Sequence, residues 1–182
     1  KKYNIGYFGS LDESKGSKFL IELSKIDKFN DYYIYGGTKK IINDMKKRNK
    51  NKNLHLNEYV SYKNLKYCIN KIDILAMPSN NKVLRSLGGV GNIAKYTSPL
   101  KLFDYLASGK FIIVSKLKVL NEIIENNIHC KILNLDQSEW LNVLRNVKKN
   151  LKEINFMKKN AFILSKKYTY KKRAEQLLSG IK

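Results

Sequence analysis

Short apolar runs of strand length alternate along the chain with longer stretches in which apolar residues recur every three or four positions. The strand candidates are Tyr3–Phe8, Tyr32–Tyr35, Asn53–Leu56, Ile72–Met77, Phe111–Ser115 and Cys130–Leu133. Two of them are almost unbroken: Ile72-Asp73-Ile74-Leu75-Ala76-Met77 and Phe111-Ile112-Ile113-Val114. A strand covered by helices on both faces carries that pattern, whereas a strand with one wet face alternates.

Between the strands, Phe19, Leu20, Leu23 and Ile26 share one helical face, as do Leu65, Cys68 and Ile69, and later Leu120, Ile123 and Ile124. The last part of the chain has only helical periodicity: Leu141, Leu144, Val147 and Leu151, then Phe162 to Leu164, then Ala174, Leu177 and Leu178. Strand–helix alternation predicts an α/β fold, a Rossmann-like doubly wound parallel sheet of six strands. Residues 1–182 form a single domain in this reading. Its ligand crevice lies beyond the ends of the first and fourth strands, where the strand order reverses.

Composition narrows the function classes. The 182 residues are 43% hydrophobic, enough for a real core. No apolar run approaches the roughly 18 residues needed to span a bilayer, and the N-terminus reads as a strand, not a signal peptide. Cys68, Cys130, His55 and His129 show no metal-ligand spacing, and the cysteines read as reduced thiols in a cytoplasmic protein. The formal charge is +21. Its lysines are scattered over nearly every polar face, so no nucleic-acid footprint is expected; attraction to anionic lipid at the inner face of a membrane fits better.

Three segments could carry chemistry. In Gly6-Tyr7-Phe8-Gly9-Ser10-Leu11-Asp12-Glu13-Ser14-Lys15-Gly16 a strand ends at Gly9 and a helix begins near Lys15–Gly16. Gly9 permits close approach to the backbone, and Lys15 near a helix start suits a phosphate. The same segment also reads as an ordinary loop with a solvated lysine. The second begins at Met77-Pro78-Ser79 and runs to Ser98, with Lys82, Arg85, Gly88, Gly89 and Gly91; about twenty residues without a pattern suit a lid or a disordered loop. The third is Tyr96-Thr97-Ser98-Pro99-Leu100-Lys101-Leu102-Phe103-Asp104-Tyr105-Leu106-Ala107-Ser108-Gly109-Lys110. Ser98 is a good N-cap, Pro99 a good first helical residue and Gly109 a good terminator. The free N–H groups from Ser98 to Lys101 favour an anion, and the Asp104 side chain leans back toward them. A capped core helix with a solvated aspartate explains the same residues equally well.

Taken in order, these segments resemble the retaining GT-B glycosyltransferases of group 1, or family 4. The resemblance rests on Gly9…Lys15-Gly16, on Met77-Pro78-Ser79, on Ser98-Pro99-Leu100-Lys101 running through Asp104-Tyr105 to Gly109-Lys110, and on the apolar strand that follows. Tyr35-Gly36-Gly37, Tyr168-Thr169-Tyr170 and Arg173-Ala174 fit the same pattern. It spans nearly the whole chain. It implies the C-terminal half of a GT-B fold, which binds a nucleoside-diphosphate sugar as substrate, without a metal or cofactor.

By the same resemblance, the donor diphosphate would be held by Gly9, Ser10 and Lys15 and by the backbone from Ser98 through Pro99 and Leu100 to Lys101. Asp104 would take the ribose hydroxyls, and Glu58-Tyr59-Val60 would lie against the base. Lys82 or Arg85 could add positive charge from the long segment. No catalytic residue is expected in this domain, because the orienting histidine and acceptor contacts belong to an N-terminal domain that the 182 residues do not include. Three departures stand out: Asp104 replaces the usual Glu, Tyr96 occupies the place of a second Glu, and Ser10 stands where Arg is common. Two other classes remain open at this point, a non-catalytic flavodoxin-like binding module and a basic nucleic-acid-binding module.

Overall fold

The computed structural model describes residues 1–11, 15–80 and 100–179. Six strands form one sheet: β1 (Asn4–Phe8), β2 (Asp31–Tyr35), β3 (Leu54–Asn57), β4 (Ile74–Met77), β5 (Phe111–Ser115) and β6 (Lys131–Leu133). Every pairing is parallel, and the order is β3-β2-β1-β4-β5-β6. All six lie where the apolar runs put them, within two residues at their ends. The α/β, Rossmann-like expectation holds, and the reversal of order falls between β1 and β4.

Seven helices occur among the described residues: α1 (Ser17–Ile26), α2 (Lys39–Arg48), α3 (Tyr62–Asn70), α4 (Leu100–Ala107), α5 (Gln137–Asn146), α6 (Leu151–Ser165) and α7 (Tyr170–Ser179). The strands divide their side chains between two cores with period two. Ile5 and Tyr7 of β1, Ile74 and Ala76 of β4, and Phe111 and Ile113 of β5 pack with α1 and α5 on one face. Phe8, Leu75, Met77, Ile112 and Val114 pack with α3 and α4 on the other. Trp140 of α5 is 0% exposed and its Nε1 donates to the Asn134 carbonyl, so it is core, as its place on an apolar helical face implies.

Two helical expectations change. Leu120 and Ile124 are buried with Ile123 packed beside them, but at and just after a short 3-10 turn at Lys118–Glu122. The Leu141–Leu151 periodicity is not one helix. It breaks after α5, and Leu151 opens α6 exposed to solvent. Apolar spacing alone does not register the four-residue turn that separates the two helices. Tyr59, Tyr62, Tyr67, Tyr168 and Tyr170 are exposed, so the tyrosines are less uniformly packed than their positions in the pattern suggest. No helix of the described residues is long and apolar enough to cross a membrane.

Candidate functional site

Three loops are pressed together at the carboxyl ends of β1, β2 and β4. Gly9 N donates to the Tyr35 carbonyl at 2.9 Å. A Cβ on Gly36 would lie 1.9 Å from Gly9 O, and one on Gly16 would lie 1.7 Å from Pro78 O. Gly16 also has φ of +86°, so glycine is required there both for space and for backbone conformation. These contacts fix the start of α1, and with it Lys15, beside the end of β4.

On one side of Gly9 lies an open pocket lined by Phe8, Tyr35, Tyr59, Val60 and Asp104, with Gly9 at its floor. Phe8 and Tyr35 stack at 4.6 Å with planes 2° apart, and Phe8 meets Tyr105 edge-on at 6.4 Å. Tyr105 Oη in turn accepts from Phe8 N at 3.0 Å, which ties α4 to the end of β1. The loop carrying Tyr59 is pinned by its N–H to Gly37 O at 3.1 Å. Glu58 is exposed on the same loop. Desolvation raises the pKa of half-buried Asp104 above the usual aspartate value. The result is a flat apolar wall facing a carboxylate, which suits a planar ring joined to vicinal hydroxyls.

On the other side of Gly9 the groups are cationic. The Lys101 ammonium lies 4.3 Å from the centre of the Tyr7 ring. Burial, with a smaller contribution from the nearby Lys15, lowers its pKa to about 7. Tyr7 Oη donates to Ser10 O at 2.6 Å and holds that loop. Two lysines gathered at strand ends attract an anion with several negative charges.

The structure thus brings together Gly9, Ser10, Lys15, Lys101, Asp104, Tyr59 and Val60, which are distant in sequence. Leu100 opens α4 and is exposed. Ser98, Pro99, Lys82 and Arg85 lie outside the described residues. Gly109, at φ +65°, ends α4 as its sequence position implies. Sequence reasoning missed the Phe8–Tyr35 stack and gave Lys101 only a backbone role. The signal for the stack was there: each aromatic is the last residue of a strand and directly precedes a glycine. A second open pocket, at Phe111, Asn142 and Met157, sits at the amino ends of the strands and has neither the glycines nor the paired cations.

A doubly wound parallel sheet that reverses at β1/β4 and opens a crevice there defines the Rossmann-like class, whose ligands bind in that crevice. The sequence profile of the family described as Glycosyl transferases group 1 matches residues 2–150, and the chain belongs to that family. Among solved structures it is similar to HepE of Anabaena in complex with UDP-glucose, with a TM-score of 0.73 at 13% identity, covering 100% of this chain and 50% of HepE. Sucrose-phosphate synthase of Thermosynechococcus elongatus gives a TM-score of 0.77 at 13% identity, covering 98% and 44%. The C-terminal domain of the group 1 glycosyltransferase LpcC of Francisella tularensis gives 0.66 at 17% identity, covering 92% and 87%. At these identities the likeness is one of fold. The chain spans about half the length of HepE. No curated protein sequence matches it.

Proposed function

We propose that the chain is the C-terminal, donor-binding half of a retaining, family 4 glycosyltransferase of the GT-B type. In this reading it is a single domain over residues 1–182 and works with an N-terminal acceptor domain. The observation that carries this is the division of one crevice into a pocket with a carboxylate and a pair of lysines, with Gly9 between them. A nucleoside diphosphate has the same two-part chemistry. Its base and ribose fit against Tyr59, Val60 and Asp104, and its diphosphate reaches Lys15, Gly9, Ser10 and the first turn of α4. Support comes from HepE, which has this fold and was solved with UDP-glucose, and from LpcC, whose similar part is a C-terminal domain.

Chemically, the chain's part is to bind the donor and stabilise the leaving diphosphate. Negative charge develops on that group as the bond to the sugar breaks, and Lys15 with the N–H groups at the start of α4 meets it. Neither a metal nor a further cofactor is invoked, since cations of the chain meet this charge. The acceptor is a glycan or a lipid-linked acceptor, as in the making of bacterial surface polysaccharide. The enzyme works in the cytoplasm at the inner membrane face. In keeping with that, α6 and the Lys166 that follows it show solvent an interleaved row of Lys152, Phe156, Lys159, Phe162 and Lys166.

A thermal-shift panel of UDP, GDP and ADP with their sugar conjugates tests the reading. At least one pair should raise the melting temperature at submillimolar concentration, and a flat response to the whole panel would sink it. The 182-residue chain by itself should transfer no sugar; turnover without a partner domain would remove the two-domain part of the reading.

A further inference from the structure

The outward face of α6 carries an arrangement that the core does not use. Ile154, Met157, Ala161 and Leu164 are the buried residues of this helix. The first two pack in the core that holds Phe111 and Trp140, the last two in the core that holds Leu102 and Leu106. With 3.6 residues per turn, the opposite face presents two adjacent rows of seven-residue spacing. One is Lys152, Lys159 and Lys166; the other is Phe156 and Ile163. Phe162 flanks the lysines on their other side. Phe156, Ile163 and Phe162 are 55%, 48% and 44% exposed.

Solitary exposed apolar residues are ordinary, and so are solvated lysines. Here the two kinds run side by side along one helix. The Lys166 ammonium lies 5.1 Å from the centre of the Phe162 ring, so its stem follows an exposed aromatic surface. Glu153 is the only carboxylate of α6, and it lines an open depression with Met157, Phe156 and Lys131 rather than standing in the lysine row. The two rows thus hold three positive charges and no negative one. An acidic protein surface would match the lysines and strand the rings, and an apolar partner would do the reverse. An anionic lipid surface matches both, because lysine stems reach the headgroup phosphates while rings enter the acyl boundary. None of these residues lines the pocket at Gly9, so lipid on α6 leaves the crevice open.

We propose that this face of α6 is a docking surface for an anionic bilayer. Phe156, Ile163 and Phe162 enter the headgroup boundary, and Lys152, Lys159 and Lys166 meet lipid phosphates. The proposal rests on the preceding reading only for its membrane setting; the face itself is argued from α6 and does not depend on the donor site.

Co-sedimentation of the chain with vesicles of phosphatidylglycerol and phosphatidylcholine, against phosphatidylcholine alone, tests it at about 0.15 M salt. A net charge of +21 attracts such vesicles wherever the lysines lie, so position needs a matched control. Lys152→Gln, Lys159→Gln and Lys166→Gln together should weaken binding about a hundredfold. Lys39→Gln, Lys40→Gln and Lys46→Gln remove the same charge from α2, which packs by β3 at the other edge of the sheet. That triple should weaken binding by no more than about threefold, because screening confines the attraction to charges near the lipid. Phe156→Ser with Ile163→Ser should cost about tenfold at an unchanged melting temperature. In Phe156→Trp, a conservative change, indole emission should move to the blue on vesicles, against a constant background from buried Trp140. Equal losses in the two lysine triples would reduce the effect to diffuse attraction and overturn the proposal, as would no blue shift at position 156. Self-association that the α6 variants abolish, without vesicle binding, would assign the face to a second copy and overturn it too. Vesicle binding with no response to UDP, GDP or ADP would uphold this face and sink the donor reading; nucleotide binding without vesicle binding would do the opposite.

Discussion

The two ends of the sheet each gather polar side chains, and they do opposite things with them. At the end where β2 begins, the Asp27 carboxylate accepts from Phe29 N, Asn30 N, Asn30 Nδ2 and Tyr32 Oη. Asn53 Nδ2 donates there to the carbonyls of Ser24, Asp27 and Asn30. Each oxygen of the Asp27 carboxylate accepts two hydrogen bonds, and burial and the acid beside it push the Tyr32 phenol far above its usual pKa. At the end where β1 and β4 finish, Lys15 adds its charge to that of Lys101, no carboxylate pairs with either among the described residues, and Asp104 stands half-buried against aromatic rings. A closed network holds the chain in place; an open one leaves interaction energy for something else. Polar groups at the first end act in folding, and those at the second are left for the binding proposed above.

The largest effect that tests this contrast is on folding. Asp27→Ala strands two backbone N–H groups, an amide and a buried phenol, and should cost roughly 2–4 kcal/mol. A fall of roughly 5–15 °C in melting temperature would register it, with ligand affinity unchanged below the transition. If Asp27→Ala weakened nucleotide binding as much as it weakened folding, the two ends would not be independent.

At the crevice the expectation reverses. Lys15→Ala should leave the melting temperature of the free chain unchanged or slightly higher, because it relieves repulsion on Lys101. It should remove a charge-assisted contact of roughly 1.5–3 kcal/mol, lowering UDP or GDP affinity tenfold to a hundredfold. Calorimetry reads both; undiminished affinity would mean that Lys15 faces solvent and not phosphate.

Asp104 should separate the two halves of the crevice. Asp104→Ala should weaken ribonucleotides by about tenfold while leaving pyrophosphate nearly untouched. Asp104→Glu should bind at close to the wild-type level, since it restores the residue usual in the family that the motif resembles. Equal losses for nucleotide and pyrophosphate in Asp104→Ala would reassign the carboxylate to the phosphate side.

The smallest effect is one of pH. Desolvation raises the Asp104 pKa, so protonation is easier in the folded chain than in the unfolded one. The stability linked to this group is therefore full in acid and is lost as pH rises through the folded value. Binding runs the other way, because only the carboxylate accepts from two hydroxyls. The ratio of UDP to pyrophosphate affinity should fall as pH drops from about 7 to about 4. The same ratio in Asp104→Asn should stay flat, and a parallel fall there would place the titrating group elsewhere.

Local pattern determined much of this protein. The unbroken apolar runs marked β4 and β5 as covered on both faces. The alternation of periods set the doubly wound sheet, and Gly9, Gly16 and Gly109 marked turns that only glycine serves well. These features were legible because hydrophobic period and backbone allowance act over a few neighbouring residues. The pairing of Lys101 with Tyr7, the Phe8–Tyr35 stack and the desolvation of Asp104 needed the tertiary structure. Lys101 and Tyr7 are far apart in sequence and lie on opposite faces of the sheet. They meet only because strand order sets β1 beside β4 and Gly9 leaves a gap that a long side chain can cross. Charge and burial are properties of that assembled space, which no stretch of sequence contains by itself.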